Sequence, residues 1–197
     1  GFAYANGKGI EQDFDEAIKW YREATKQGDA SAQYHLGWMY DTGIGVEQDD
    51  EEAVNWFRKA AEQGHSKAQC RMGLMYDTGK GLEQDDEEAV KWYRKAAEQG
   101  LAEAQNNLGE MFRDEKNYNE AVKWFRKAAE QGNESGRHNL SRMSNKAQEV
   151  AQEDLDRGRD KDGKIEDQVI TKLQTLTKIK GNIFYDDIKK FAIQEIK

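Results

Sequence analysis

Four near-copies of one fourteen-residue string restrict this chain to very few folds: "DEAIKWYREATKQG" from Asp15, "EEAVNWFRKAAEQG" from Glu51, "EEAVKWYRKAAEQG" from Glu87 and "NEAVKWFRKAAEQG" from Asn119. They place tryptophans at 20, 56, 92 and 124, at spacings of 36, 36 and 32. A second block recurs between them, as "AQYHLGWMYDTGIG" from Ala32, "AQCRMGLMYDTGKG" from Ala68 and "AQNNLGEMFRDEKN" from Ala104. A period in this range is the mark of helix pairs that cannot bury their apolar faces alone and stack on one another instead. The opening "GFAYANGKGI" aligns with "GWMYDTGIGV", so the chain starts partway through a block, and a signal peptide or further repeats are expected before Gly1.

Local signals divide each unit into two helices, A and B. Asp13, Asp49, Asp85 and Asn117 each stand three residues before a glutamate (Glu16, Glu52, Glu88, Glu120), the pattern of an N-cap acceptor and an N3 side chain that can bond back. Helix B starts there and stops at Gly28, Gly64, Gly100 and Gly132, where a left-handed C′ residue is needed. Ala17, Trp20, Tyr21 and Ala24 lie at i, i+3, i+4 and i+7, as do their counterparts, which gives helix B one apolar face. Ala32, Leu36, Met39 and Tyr40 do the same for helix A, and the Gly-x-Gly segments (Gly7/Gly9, Gly43/Gly45, Gly79/Gly81) turn A into B.

The stretch "LGWMYDTGIGVEQDDEEAVNWFRKAAEQGHSKAQ" from Leu36 resembles the Sel-1-like repeat, a longer-looped relative of the tetratricopeptide repeat. The resemblance covers residues 1–143 and rests on Leu-Gly-x-x-Tyr, Gly-x-Gly-Val and Ala-x-x-Trp-Tyr/Phe-x-x-Ala-Ala. It implies an all-α, right-handed superhelical solenoid of antiparallel helix pairs. The fourth unit, "MFRDEKNYNEAVKW", lacks both turn glycines and four residues, so its A-to-B connection should be shorter. "NESGRHNLSRM" from Asn133 replaces the family alanine, glycine and tyrosine with Gly136, Ser141 and Ser144, as a polar capping repeat would. Residues 144–197 are expected to form a separate C-terminal extension, with the capping helix continuing to about Asp156 and two further helices, on Ile165–Leu176 and Ile188–Glu195, broken at "KGN".

The paired "DTG" triplets at Asp41 and Asp77 imitate an aspartic-protease dyad, but such a dyad needs two carboxylates about 3 Å apart. These two end equivalent helices in consecutive units, roughly 10 Å apart at the packing distance of helices, and read as a helix end followed by a turn. Met39, Met75, Met111 and Met143 recur in register as core filler. His35, His65 and His138 lack ligand spacing, so no metal site is expected. "GRDKDGKIEDQV" from Gly158 imitates a calcium loop but has Gly158 and Val169 at the two anchoring positions. No Ser/His/Asp or Ser-x-x-Lys constellation is present, so no catalytic residue and no cofactor is expected. Cysteine-rich relatives linked to β-lactam binding, the alternative that would make this an enzyme, carry paired cysteines in each repeat, whereas Cys70 is alone here.

A formal charge of −8 argues against nucleic acid as the partner, and no stretch approaches the roughly 20 apolar residues needed for membrane insertion. Another protein or a peptide is the expected partner. The resemblance implies that the A helices line a concave binding face. Carried over position by position, that face comprises Phe2 in the first unit, Tyr34, Trp38 and Asp41 in the second, and Lys67, Cys70, Leu74 and Asp77 in the third. The fourth contributes Glu103, Asn106, Glu110 and Arg113, and the cap Arg142. Trp38 stands out as the one tryptophan outside the repeat register, a hot-spot candidate on a binding face. The expected function is an adaptor or scaffold of bacterial type, in signalling, envelope or host-interaction systems. A stoichiometric inhibitor or immunity protein is the alternative within the same physics. The charge-balanced C-terminal helices are a candidate for intramolecular docking. The compartment stays open: cytoplasmic, or periplasmic or secreted if a signal peptide precedes Gly1.

Overall fold

The computed structural model of the protein describes residues 1–143, whose regular structure is helical throughout. The helices are α1 (Phe2–Asn6), α2 (Phe14–Lys26), α3 (Ala30–Thr42), α4 (Asp50–Glu62), α5 (Ser66–Thr78), α6 (Asp86–Glu98), α7 (Ala102–Asp114) and α8 (Tyr118–Glu130). A further helix, α9, starts at 134 and continues to 143. Odd numbers are the A helices and even numbers the B helices of the repeat. The expected extension of the capping helix, the two C-terminal helices, their docking and the calcium-like loop all lie outside the described residues.

The B helices start where the sequence places them. Carboxylate oxygens of Asp13, Asp49 and Asp85 accept from the N–H of Glu16, Glu52 and Glu88 at 3.0 Å, and Asn117 does the same for Glu120 at 3.5 Å. The reciprocal half of the capping box is replaced. The N–H groups of Asp13, Asp49 and Asp85 donate instead to the carbonyls of Tyr4, Tyr40 and Tyr76, each at 3.0 Å. Those carbonyls sit near the end of the A helix, and the turn folds them over the cap donor. Glu16, Glu88 and Glu120 are thereby released to bond Lys19, Lys91 and Lys123 one turn further on.

Each B helix ends in a Schellman motif. At α4, the N–H of Gly64 reaches the Ala61 carbonyl at 3.0 Å and that of His65 reaches Ala60 at 3.1 Å, with Gly64 at φ 89°. The fourth connection is short, 115–117 against 43–49 between α3 and α4, as the missing residues imply. Lys116 takes the left-handed position there, at φ 61°.

The chain divides into two compact units, Gly1–Met111 and Phe112–Lys197. In the first, α3 packs on α4 and α5 on α6 within repeats, while α2 packs on α3 and α4 on α5. The glycine of the Leu-Gly or Met-Gly dipeptide of helix A has a steric purpose. A Cβ on Gly37 would lie 2.8 Å from the Phe57 ring, and one on Gly73 would lie 2.5 Å from the Tyr93 ring, so each ring lies against bare helix backbone. Both rings are fully buried, which stabilises by roughly 1.5–3 kcal/mol apiece.

The tryptophans join one repeat to the one before. Trp56 packs on the cluster of Ala17, Tyr21, Leu36 and Met39, and Trp92 belongs to the cluster of Ala53, Phe57, Met72 and Met75. Trp20 departs from the buried face expected of it: it is 54% exposed. Glutamines stitch the same joints. Gln63 donates to Gln33 and Gln99 to Gln69, each at 2.6 Å, and the buried Gln69 and Gln105 donate to the carbonyls of Ala61 and Ala97. A buried amide that found no partner there would cost about 1–3 kcal/mol.

In the second unit, α8 buries Ala121, Val122, Trp124, Phe125 and Ala128. Lys127 lies over the Trp124 ring at 4.0 Å, as Lys59 and Lys95 lie over Trp56 and Trp92.

Candidate functional site

The face expected to bind a partner is built on α1, α3, α5 and α7 in the first unit. Helical spacing brings residues three and four apart onto one stripe, which aligns Tyr34, Trp38 and Asp41 on α3 with Lys67, Leu74 and Asp77 on α5. Phe2 is 55% exposed, and its ring lies 5.9 Å from His35. Tyr34 is half-buried among three rings: His65 stacked at 4.8 Å, His35 edge-on at 5.4 Å and Phe57 at 5.8 Å. Trp38 is also half-buried, and it touches both core clusters, bridging the first helix pairs. Part of this tryptophan is therefore structural, and part remains at the surface.

The two aspartates of the "DTG" triplets are individually partnered. Lys80 Nζ bonds Asp41 Oδ1 at 2.5 Å and lies 3.2 Å from Asp50, so the turn of one repeat clamps the preceding one. The Asp41 bond is the main reason the Lys80 ammonium is held above the usual lysine range. Asp77 Oδ2 accepts from the Tyr93 hydroxyl at 3.4 Å. These are structural contacts of two separate carboxylates, one on a cation and one on a phenol.

Cys70 and Asn106 are 4% and 6% exposed and offer no contact surface. Burial, followed by the Glu103 charge, pushes the Cys70 thiol up to about 12 against the pull of Arg71, which leaves it inert as a nucleophile near neutral pH. Asn106 Nδ2 donates to Glu110 Oε1 at 3.2 Å. Lys67 and Glu103 are exposed, and Leu74 and Glu110 half-exposed. In the second unit, Arg113 pairs with Asp114 at 2.9 Å, and Arg142 is exposed on α9.

Two residues set aside by sequence reasoning carry much of this face: His35 and His65. His35 stacks on Tyr21 at 5.1 Å, and His65 Nδ1 accepts the Ala68 N–H at 3.2 Å as the N-cap of α5. The signal was present in "QGD", "QGH" and "QGN", because the residue after the Schellman glycine stands at the N-cap of the next A helix and in these three has a side-chain acceptor, unlike the leucine of "QGL". Among the described residues, no group of His, Cys, Asp or Glu is arranged to hold a metal ion. Nor is any described helix long and apolar enough to cross a membrane.

The Sel1 repeat profile matches the chain at residues 1–29, 30–65, 66–101 and 102–133. A Sel1 repeat protein from Oxalobacter formigenes is similar in structure at a TM-score of 0.69 and 36% identity, over 72% of this chain. A protective antigen of uropathogenic Escherichia coli strains, displaying an SLR fold, is similar at 0.69 and 35% identity, over 73% of this chain. The chain spans 59% of the first of these proteins and 32% of the second. No curated protein matches it.

Proposed function

Because the chain belongs to the Sel1 repeat family, whose members are generally non-catalytic protein-interaction scaffolds, we propose that it is an adaptor holding a peptide, loop or helix of another protein. The binding surface in this reading is the A-helix face of the Gly1–Met111 unit. The observation that carries it is Trp38. At its register the other repeats have Phe2, Leu74 and Glu110, so the stack does not require an indole there, yet a large aromatic remains partly at the surface beside Tyr34. Partly exposed aromatics are the residues enriched at protein-binding hot spots, with charge such as that of Lys67, near His35 and His65, kept to the rim.

The experiment follows from the structural half of Trp38. Trp38→Ala would confuse lost binding with lost packing, whereas Trp38→Leu installs the residue that the next repeat already carries there. With a partner captured on the full chain, Trp38→Leu should weaken affinity by about 1–2 kcal/mol in calorimetry while the melting temperature moves little. Unchanged affinity in both Trp38→Leu and Tyr34→Ala removes this face from the reading.

A further inference from the structure

The A helices are not capped alike: besides the Asn133 amide oxygen that accepts the Gly136 N–H at 2.7 Å for α9, three arrangements occur. The Asp29 carboxylate accepts the Ala32 N–H at 2.6 Å for α3, Leu101 has no acceptor to offer α7, and an imidazole does the work for α5. A backbone N–H can only donate, so the Ala68 bond requires a lone pair on His65 Nδ1. That atom becomes a donor when the ring is protonated. A carboxyl oxygen keeps acceptor capacity in either state, so the Asp29 cap has no such weakness. Protonation would also set a cation at a helix N-terminus, against the dipole.

The surroundings of His65 reinforce the neutral form. From α5 comes the Lys67 ammonium; from α3 come His35 and the Tyr34 ring; opposing them is the Asp29 carboxylate at the start of α3. Behind His35 stand the Tyr21 ring of α2 and the Phe2 ring of α1. Desolvation first, then these positive neighbours, hold both imidazoles below the ordinary histidine range.

We propose that His65 is an acid-operated cap: mild acidification releases the first turn of α5 and, through the His65–Tyr34 stack, loosens the aromatic cluster on the candidate binding face. Only the last step, from Tyr34 to a partner, rests on the protein-binding reading. The cap itself does not.

The test is amide exchange and histidine titration by NMR on the full chain between pH 7.5 and 5. His65 should titrate below the reference of about 6.5. The protection of the Ala68 amide should fall about fivefold relative to that of Ala32, the scale of a lost N-cap. His65→Asp and His65→Asn both keep an acceptor at that position and should abolish the differential. A constant Ala68 to Ala32 ratio in the wild-type chain overturns the proposal, as does a pH-dependent loss that persists in both variants. If the Ala68 signal is present but partner affinity is the same at both pH values, the link to the binding face is overturned and the cap stands.

Discussion

At the scale of single residues, repetition acts as an internal control, because each position is seen in several versions within one molecule. Tyr21 is 5% exposed and its hydroxyl has no hydrogen-bond partner, whereas at the same register Tyr93 donates to Asp77. The position equivalent to Asp77 in the first unit is Ala5, which has no acceptor, and two other repeats solve the problem with Phe57 and Phe125. Burial alone pushes the Tyr21 phenol above its ordinary range. Tyr21→Phe should therefore stabilise the chain by about 1–2 kcal/mol, since it removes a buried orphan without changing shape. Calorimetry should show a rise of a few degrees in melting temperature; a fall would mean that the hydroxyl has a partner after all. The Tyr21/Ala5 mismatch was legible in the sequence, but its energetic sign was not, because that depends on whether the hydroxyl reaches water.

At the scale of elements, the caps and stops of the B helices were legible in the sequence, whereas the A-helix caps Asp29, His65 and Asn133 went unread. The side chains of Asp13, Asp49 and Asp85 and the Schellman glycines act through bonds that span at most five residues, and such bonds are dictated by local order. Contacts between repeats were not legible in the same way. Asp41 is expected from sequence on the concave binding face, yet its side chain is 13% exposed and held by Lys80, which lies 39 positions later. The hint was the change from "GIG" to "GKG" in the turn. Lys80→Met should cost about 1 kcal/mol, a value kept small because Lys80 itself is 38% exposed to screening water. Urea denaturation at low and high salt checks it, since the difference between variant and wild type should shrink as salt rises. The lysine is raised in the fold, so the pair's contribution is complete below the ordinary lysine range and fades only as pH climbs through the folded value. Neutral-pH titration will not reveal this clamp.

At the scale of the molecule, a stack of repeats has stability that is close to a sum of units and the interfaces between neighbours. Trp92, 8% exposed, is the interface between α6 and the α4–α5 cluster. Trp92→Ala should cost about 3–4 kcal/mol and, unlike Tyr21→Phe, should also lower the denaturant slope m, because it uncouples neighbouring repeats rather than weakening one. An unchanged m would show that the stack stays cooperative without this contact. The chain's sequence by itself determined its family, its helix pairs, their starts and stops, and the registers that face inward, because all of these follow from spacing repeated along the chain. Which members of a register are covered was decided only in the tertiary structure. Trp56 is half-buried where Trp92 is buried, Cys70 and Asn106 sink below the face on which Lys67 and Glu103 stand, and His65 meets Tyr34. Equivalent positions share a local geometry, but each has different neighbours, and it is the neighbours that fix burial, partner and charge.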